Sequence, residues 1–298
     1  MYKPHCDPHN NRLSNFFIVT SFLLGIGIMI SAAFPALVFA EDLEMINRPV
    51  NTEGLTGLLF TTMPFTLPTR TVEIGVAVLS ENSTIPKYAI TELPVVTITT
   101  GIARNMEVAL RGSYFQTTDI SGNKTRGAGN TEVSYKWNFW PQKEYSAVPA
   151  VALITTFIAP TGDKDVVQNE VNNWGVRFGF AAGSDIDWGT HVLGVYADAQ
   201  MMVHDLSDDQ YKDIYGILNA GILFPISKYR NLQMFIEYTM VSGKNKKTEE
   251  DGDYSAITWG LRLVSERFNL SMGTQFLHKT ITGYENSNRL VGTISLKF

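Results

Sequence analysis

Few positions in this sequence combine side chains able to do covalent chemistry. In "HDLSDD", His204 and Ser207 offer a base and a hydroxyl, with Asp205, Asp208 and Asp209 beside them for a divalent ion. A hydroxyl nucleophile needs its base within hydrogen-bond reach, and His-x-x-Ser inside a polar loop does not set that distance. His278 with Thr280 is no better placed. "TGDKD" (Asp163, Asp165) and "EEDGDY" (Glu249 to Asp253) repeat oxygens at short spacing, yet neither has the twelve-residue calcium pattern with its closing Glu. Lys244, Lys246 and Lys247 in the same loop could meet lipopolysaccharide phosphates. No phosphate-cradling glycine loop, zinc spacing or nucleophile elbow occurs. The expectation is therefore no catalytic residues, no metal, no cofactor, and a protein that is not an enzyme.

The more informative charges are regularly spaced. Glu73, Glu107, Arg111, Glu132, Lys136, Arg177, His191, Glu237, Arg262 and Lys297 each sit in a stretch of period two. In "NMEVALRGSYF", Glu107, Arg111 and Ser113 oppose Val108, Leu110 and Tyr114. In "TEVSYKWNFW", Glu132, Ser134, Lys136 and Asn138 oppose Val133, Tyr135, Trp137 and Phe139. "LQMFIEYTM" and "RFNLSMGTQF" repeat the arrangement. Successive side chains of a strand point to opposite faces, so each stretch has one apolar and one polar face. Twelve such segments are predicted, near 71–80, 91–101, 105–116, 130–140, 148–159, 174–183, 188–202, 211–223, 231–241, 254–264, 267–278 and 289–298.

The connections alternate in length. After even-numbered segments they are short ("ARN", "SDID", "PISKYR", "SER"). After odd-numbered ones they tend to run longer and more polar ("ENSTIPKYA", "TTDISGNKTRGAG", "TGDKDVVQNEVNN", "SGKNKKTEEDGD", "TITGYENSN"), the exception being the seventh-to-eighth link, about "HDLSDDQ", which is only moderately long. An even number of alternating strands, with short turns at one end and long loops at the other, describes an antiparallel transmembrane β-barrel. In lipid every backbone N–H and C=O must be paired, so the sheet has to close. A soluble β-sandwich alternates similarly but leaves the loop asymmetry and the aromatic strand ends without a cause. Trp137, Phe139, Trp140 and Trp188 fall near strand ends on the short-turn side, Trp174 falls near the other rim, and Trp259 lies deeper on the lipid face. Charged side chains facing lipid cost a few kcal/mol near the midplane, so the ten regularly spaced residues are assigned to the lumen. Twelve strands fall between a filled eight-stranded interior and an open sixteen-stranded one, so a narrow, partly occluded pore is expected.

The ends supply the setting. Lys3 and Arg12 precede an uncharged run from Phe16 to Ala40 with Pro35 and a Val38/Ala40 pair, the pattern of a secretory signal peptide cleaved after Ala40. The single cysteine, Cys6, precedes that run, so no disulfide framework or thiolate site is expected beyond it. Residues 41–298 carry 22 Lys and Arg against 28 Asp and Glu. This mild acidity, without a basic cluster, argues against nucleic acid. The expected divisions are a signal peptide at 1–40, a periplasmic or plug segment at 41–66, and a barrel at 67–298.

The run "GAGNTEVSYKWNFW" followed by "PAVALITTFIAPTGD" resembles an outer-membrane transporter-like family labelled with the meta-pathway of phenol degradation. The residues that carry the likeness are Gly127, Gly129, Glu132, Pro149, Pro160, Gly162 and Asp163. A final Phe298 on an alternating strand is similar to the element by which outer-membrane proteins engage their assembly machinery. The resemblance implies a Gram-negative outer-membrane location, contact with lipid and lipopolysaccharide, and passage of small solutes, aromatic or hydrophobic ones included, through a narrow charged lumen. Two alternatives remain open: an outer-membrane enzyme such as a lipase, and a loop-mediated receptor or adhesin on a plugged barrel.

Overall fold

A computed structural model describes residues 48–84, 87–118, 121–142, 148–163, 174–188, 191–203, 214–226, 231–244, 253–279 and 286–298. The predicted signal peptide lies outside these residues. The strands are β1 (Val72–Thr84), β2 (Lys87–Ala103), β3 (Met106–Thr118), β4 (Lys124–Ala128), β5 (Thr131–Trp140), β6 (Ala150–Ala159), β7 (Gly175–Trp188), β8 (His191–Val203), β9 (Ile214–Pro225), β10 (Leu232–Lys244), β11 (Tyr254–Val264), β12 (Phe268–Lys279) and β13 (Ser287–Lys297). Successive strands pair antiparallel except β4 and β5, which both pair with β3, and β13 pairs with β1, closing the sheet. β4 and β5 are two pieces of one stave, because β4 covers the outer part of β3 and β5 the inner part. The result is a closed twelve-stranded antiparallel barrel.

All twelve predicted segments coincide with staves, but the loop reading needs three corrections, one being that "SDID" is not a turn but part of β7, where Ser184 to Asp187 pair with Val195 to Val192 of β8. "ENSTIPKYA" is mostly ladder rather than loop, since β1 and β2 stay paired out to Thr84 and Lys87. Within "TTDISGNKTRGAG", β4 folds back on β3. The break between β4 and β5, at Gly129 and Asn130, is tied to the turn after β6. There Ala128 and Asp163 exchange two bonds, the Gly162 amide donates to the Asn130 side chain, and the Thr131 amide donates to the Thr161 hydroxyl. The run quoted for the family likeness thus spans the place where the stave is interrupted.

Alternation decides which way each side chain points. Ile74, Val76, Leu110, Val133, Phe157, Phe178, Ile236, Trp259, Met272 and Ile294 are exposed on the outside, while Glu107, Lys136, Gln233, Glu237 and Arg262 are buried within. Exposed apolar side chains in a continuous belt would be costly in water, so this belt faces hydrocarbon. Trp137, Phe139, Trp140 and Trp174 are exposed near strand ends, and the Trp137 and Phe139 rings lie 5.8 Å apart. The side chain of Trp188 lies outside the described residues. At the seam with β1, Phe298 exchanges both backbone bonds with Val72.

The belt makes a testable demand. Ile236→Arg, on β10 at mid-height, is expected to cost about 2–4 kcal/mol in equilibrium unfolding from lipid vesicles. An unchanged unfolding midpoint would show that Ile236 does not face lipid.

Candidate functional site

The ten regularly spaced residues meet an occupant rather than open water. Residues 48–67 precede β1 and lie inside the barrel as a small folded element. Val50 bridges to Thr56 and Gly57 to Thr62, with a turn at Gly54 (φ 84°). Leu55, Leu58, Leu59, Met63 and Leu67 are buried. Leu58, Leu59 and Met63 pack with Val192, Tyr196, Leu223, Phe235 and Val291 of the barrel wall, and Leu55 with Ala109, Ile154 and Ala181. Gly221 and Gly273 make the notches: a Cβ there would lie 2.4 Å from Leu58 Cδ1 and 2.8 Å from Leu59 Cδ1 respectively.

The wall's charged side chains bond to the backbone of this segment, acids to N–H groups and bases to carbonyls. Glu237 accepts from the amides of Leu59, Phe60 and Thr61 at 3.2, 3.0 and 2.7 Å. Glu107 accepts from the amides of Thr56 and Leu67 and from the Thr56 hydroxyl. Glu73 accepts from the Val50 amide and Asp198 from the Thr62 amide. In the other sense, the Lys136 ammonium donates to the carbonyls of Thr56 and Met63 and pairs with Glu107 at 2.8 Å. Arg262 donates to Gly57 O, Arg111 to Thr52 O, and the Thr99 hydroxyl to Gly54 O. Arg48, its ring contact with Phe65 3.7 Å from the centroid, pairs with Asp185.

At mid-height a chain of ion pairs crosses the tip of the segment. Arg111 bonds Glu92 and Glu132, while Arg177 bonds Glu132 and Glu53, the last at 2.6 Å. A cavity of about 350 Å³ lies there, bounded by the tip residues Glu53 and Phe60 and by wall residues including Phe115, Asn130, Asn219 and Tyr254. A second ionic group stands in the outer part of β1, β12 and β13, where Glu81 accepts from Arg289, Lys279, Tyr88 and Ser287.

Of the ten residues assigned to the lumen, Glu107, Arg111, Lys136, Glu237 and Arg262 bond the segment's backbone, as does Glu73 through Val50. Arg177 reaches the Glu53 side chain, and Glu132 joins the two arginines. Lys297 lies 3.9 Å from Glu73. The side chain of His191 lies outside the described residues, as do His204, Asp205, Ser207, Asp208, Asp209, Asp165, Lys246, Lys247, Glu249 and Thr280. His278 is exposed and its Nδ1 lies 2.7 Å from the Asn286 side-chain oxygen. Sequence reasoning missed Glu92, Asp185, Asp198 and Glu81. Glu92 was hidden by a bulge: the β2 register shifts between Glu92 and Val95, so both turn inward although they are three apart. Asp198 stood in "YADAQ", where small residues blur the alternation.

No known family matches the sequence, and no curated protein does. Among solved structures, an outer membrane channel from Pseudomonas putida F1 is similar over 79% of this chain and 98% of its own, with a TM-score of 0.58 at 10% identity. The porin NanC matches over 75% of this chain and 100% of its own, with a TM-score of 0.49 at 10% identity. At such identity the likeness is one of fold, and with the apolar belt it puts this barrel in the bacterial outer membrane, in contact with its lipid. One expectation is corrected. LpxR from Salmonella typhimurium, a lipid A deacylase, matches over 76% of this chain at 9% identity and a TM-score of 0.47. A closed barrel does not by its fold exclude catalysis, so the expectation that this chain is not an enzyme is withdrawn.

The backbone contacts carry a prediction. Glu237→Ala removes three acceptor bonds from residues 59–61 while leaving the outer face of β10 untouched. Hydrogen exchange in a peptide covering 57–63 is expected to accelerate at least about tenfold, since a buried amide left without its acceptor costs about 1–3 kcal/mol. Unchanged protection there would mean that apolar packing alone holds the segment.

Proposed function

We propose that this protein is an outer-membrane channel or transporter for small solutes, with residues 48–66 as the element that closes its lumen. The observation that carries the reading is a polar, charged inner wall whose interior is filled by a separate stretch of chain and not by the wall's own side chains. The wall residues are those of a solute path, and the segment that fills the path joins the barrel covalently only through Thr69 to Val72 on the short-turn side. Thr69 bridges to Gly101 there, and Gly101 lies at the matching end of β2. The family likeness quoted for 127–163 favours aromatic or hydrophobic solutes, and the phenol-degradation label belongs to that likeness alone. Leading and final segments fit the same picture: export directed by residues 1–40, and barrel assembly engaged through the strand that ends on Phe298.

A twelve-stranded barrel is wide enough to conduct once its interior is cleared. Planar-bilayer recording tests this directly. The full mature chain is expected to show little steady current, and a variant lacking residues 48–66 is expected to conduct stepwise. If the shortened variant inserts and folds but passes no current, the lumen is not a solute path. The outer loops would then carry the function, on a barrel that is plugged in any state.

A further inference from the structure

Above the segment's tip, the cavity of about 350 Å³ has a particular chemistry. Its charged lining is three acids, Glu53, Glu92 and Glu132, against two bases, Arg111 and Arg177. Both arginines pair with those acids, although Arg177 Nε is left without a partner, and three acids against two bases leave one negative charge in excess. That excess has a location. Glu53 spends Oε1 on Arg177, and its Oε2 has no hydrogen-bond partner.

A second unpartnered acceptor lies on the same wall. Asn219 is buried to 3% exposure and lines the cavity. Its amide nitrogen donates to both oxygens of Asp198, at 3.1 and 3.3 Å, which fixes the orientation of the amide group. The carbonyl oxygen, Oδ1, is thereby left with no partner. Buried acceptors without donors are rare and costly, and here two of them border one space. The rest of the lining combines apolar and aromatic groups, Phe60 on the segment and Phe115 and Tyr254 on the wall among them, with Ser113, Asn130 and Thr239, and the hydroxyls of Ser113 and Thr239 have no partner. Aromatic faces attract cations as well as apolar groups.

We propose that this cavity binds a small amphipathic ammonium compound, an arylalkyl or alkyl amine in its protonated form. The ammonium donates to Glu53 Oε2 and Asn219 Oδ1, and the hydrocarbon part lies against Phe60, Phe115 and Tyr254. A carboxylate ligand would face the surplus acid and the carbonyl. A neutral alcohol could supply one donor but no charge. The inference rests on the transport reading for its physiological sense, because it names a solute class for the same lumen; binding itself does not depend on conduction.

Isothermal titration calorimetry of the full mature protein in detergent, with phenethylamine hydrochloride, phenethyl alcohol and phenylacetate, tests it. Phenethylammonium is expected to bind about tenfold or more tightly than the alcohol, as a charge-assisted bond exceeds a neutral one by roughly that factor. Phenylacetate is expected to bind most weakly. Glu53→Gln is expected to bring the ammonium down to the level of the alcohol. Equal binding of ammonium and alcohol by the unaltered protein, a preference for phenylacetate, or no binding at all would overturn the proposal. Should Glu53→Gln fail to fold, Asn219→Ala is the second variant, expected to weaken the ammonium and overturning the proposal if it does not. The failure of this inference is read on the complete protein by calorimetry, whereas the failure of the transport reading is read on the shortened variant by conductance.

Discussion

The requirement that every buried backbone polar group find a partner governs this molecule twice. On the outside it forces the sheet to close, because hydrocarbon offers no donor or acceptor to a free strand edge. On the inside it governs what a chain of some twenty residues can do within a barrel already saturated by its own ladder. Residues 48–67 are too few and too irregular to satisfy themselves, and their bridges leave most amides and carbonyls unpaired. The wall supplies the missing partners from its side chains. Carboxylates stand where N–H groups emerge, and ammonium or guanidinium groups stand where carbonyls do.

Holding the segment and placing it are separate tasks. A carboxylate such as Glu237 loses most of its hydration when buried, and the bonds it then makes largely offset that loss. Its net contribution to holding the segment is small beside that of the apolar side chains. Leu55, Leu59 and Met63 are fully enclosed, and burial of each contributes about 1.5–3 kcal/mol. The charges act instead on register. If the segment slipped, the Thr56 amide and hydroxyl would leave Glu107 and the Thr56 and Met63 carbonyls would leave Lys136, so that these buried charges would lose partners. Apolar burial thus keeps the segment in, and the polar wall fixes its one position.

Much of this was legible in the sequence because a barrel's geometry is local. Period-two alternation fixes which face each residue takes, so Glu107, Lys136, Glu237 and Arg262 could be turned inward from their neighbours alone. A bulge breaks that logic. At Leu93–Pro94 the chain adds a residue, and Glu92 turns inward from a position where counting back from Val95 would face it to lipid. The partners of the inward charges were not legible for a different reason. Opposed acids and bases read naturally as a transverse field or as mutual salt bridges, and at Arg111, Glu132 and Arg177 they are salt bridges. At Glu237 the partners are three backbone amides, and at Glu107 two amides share the carboxylate with Lys136; backbone groups leave no mark on residue type. What the sequence did carry was indirect: inward apolar exceptions such as Phe235, Leu223 and Ile154, which a water-filled channel does not need. Those residues receive the segment's leucines.

The tip of the segment belongs to two structures at once. Glu53 and Phe60 close the lumen from below, and they also form part of the boundary of the cavity above. Any solute that gains free energy from them gains it only while the segment is in place. Linkage then requires that such a solute favour the closed arrangement by the same factor by which closure favours its binding. A solute bound at the tip would therefore not open the path by itself. Passage requires a second contribution, acting where the segment is anchored and not at its tip. The anchor is Arg48 on Asp185 with Phe65 stacked against it and Tyr196 edge-on to that ring, all at the short-turn end of the barrel. In the proposed channel, solute binding and release of the segment would thus lie at opposite ends of one element.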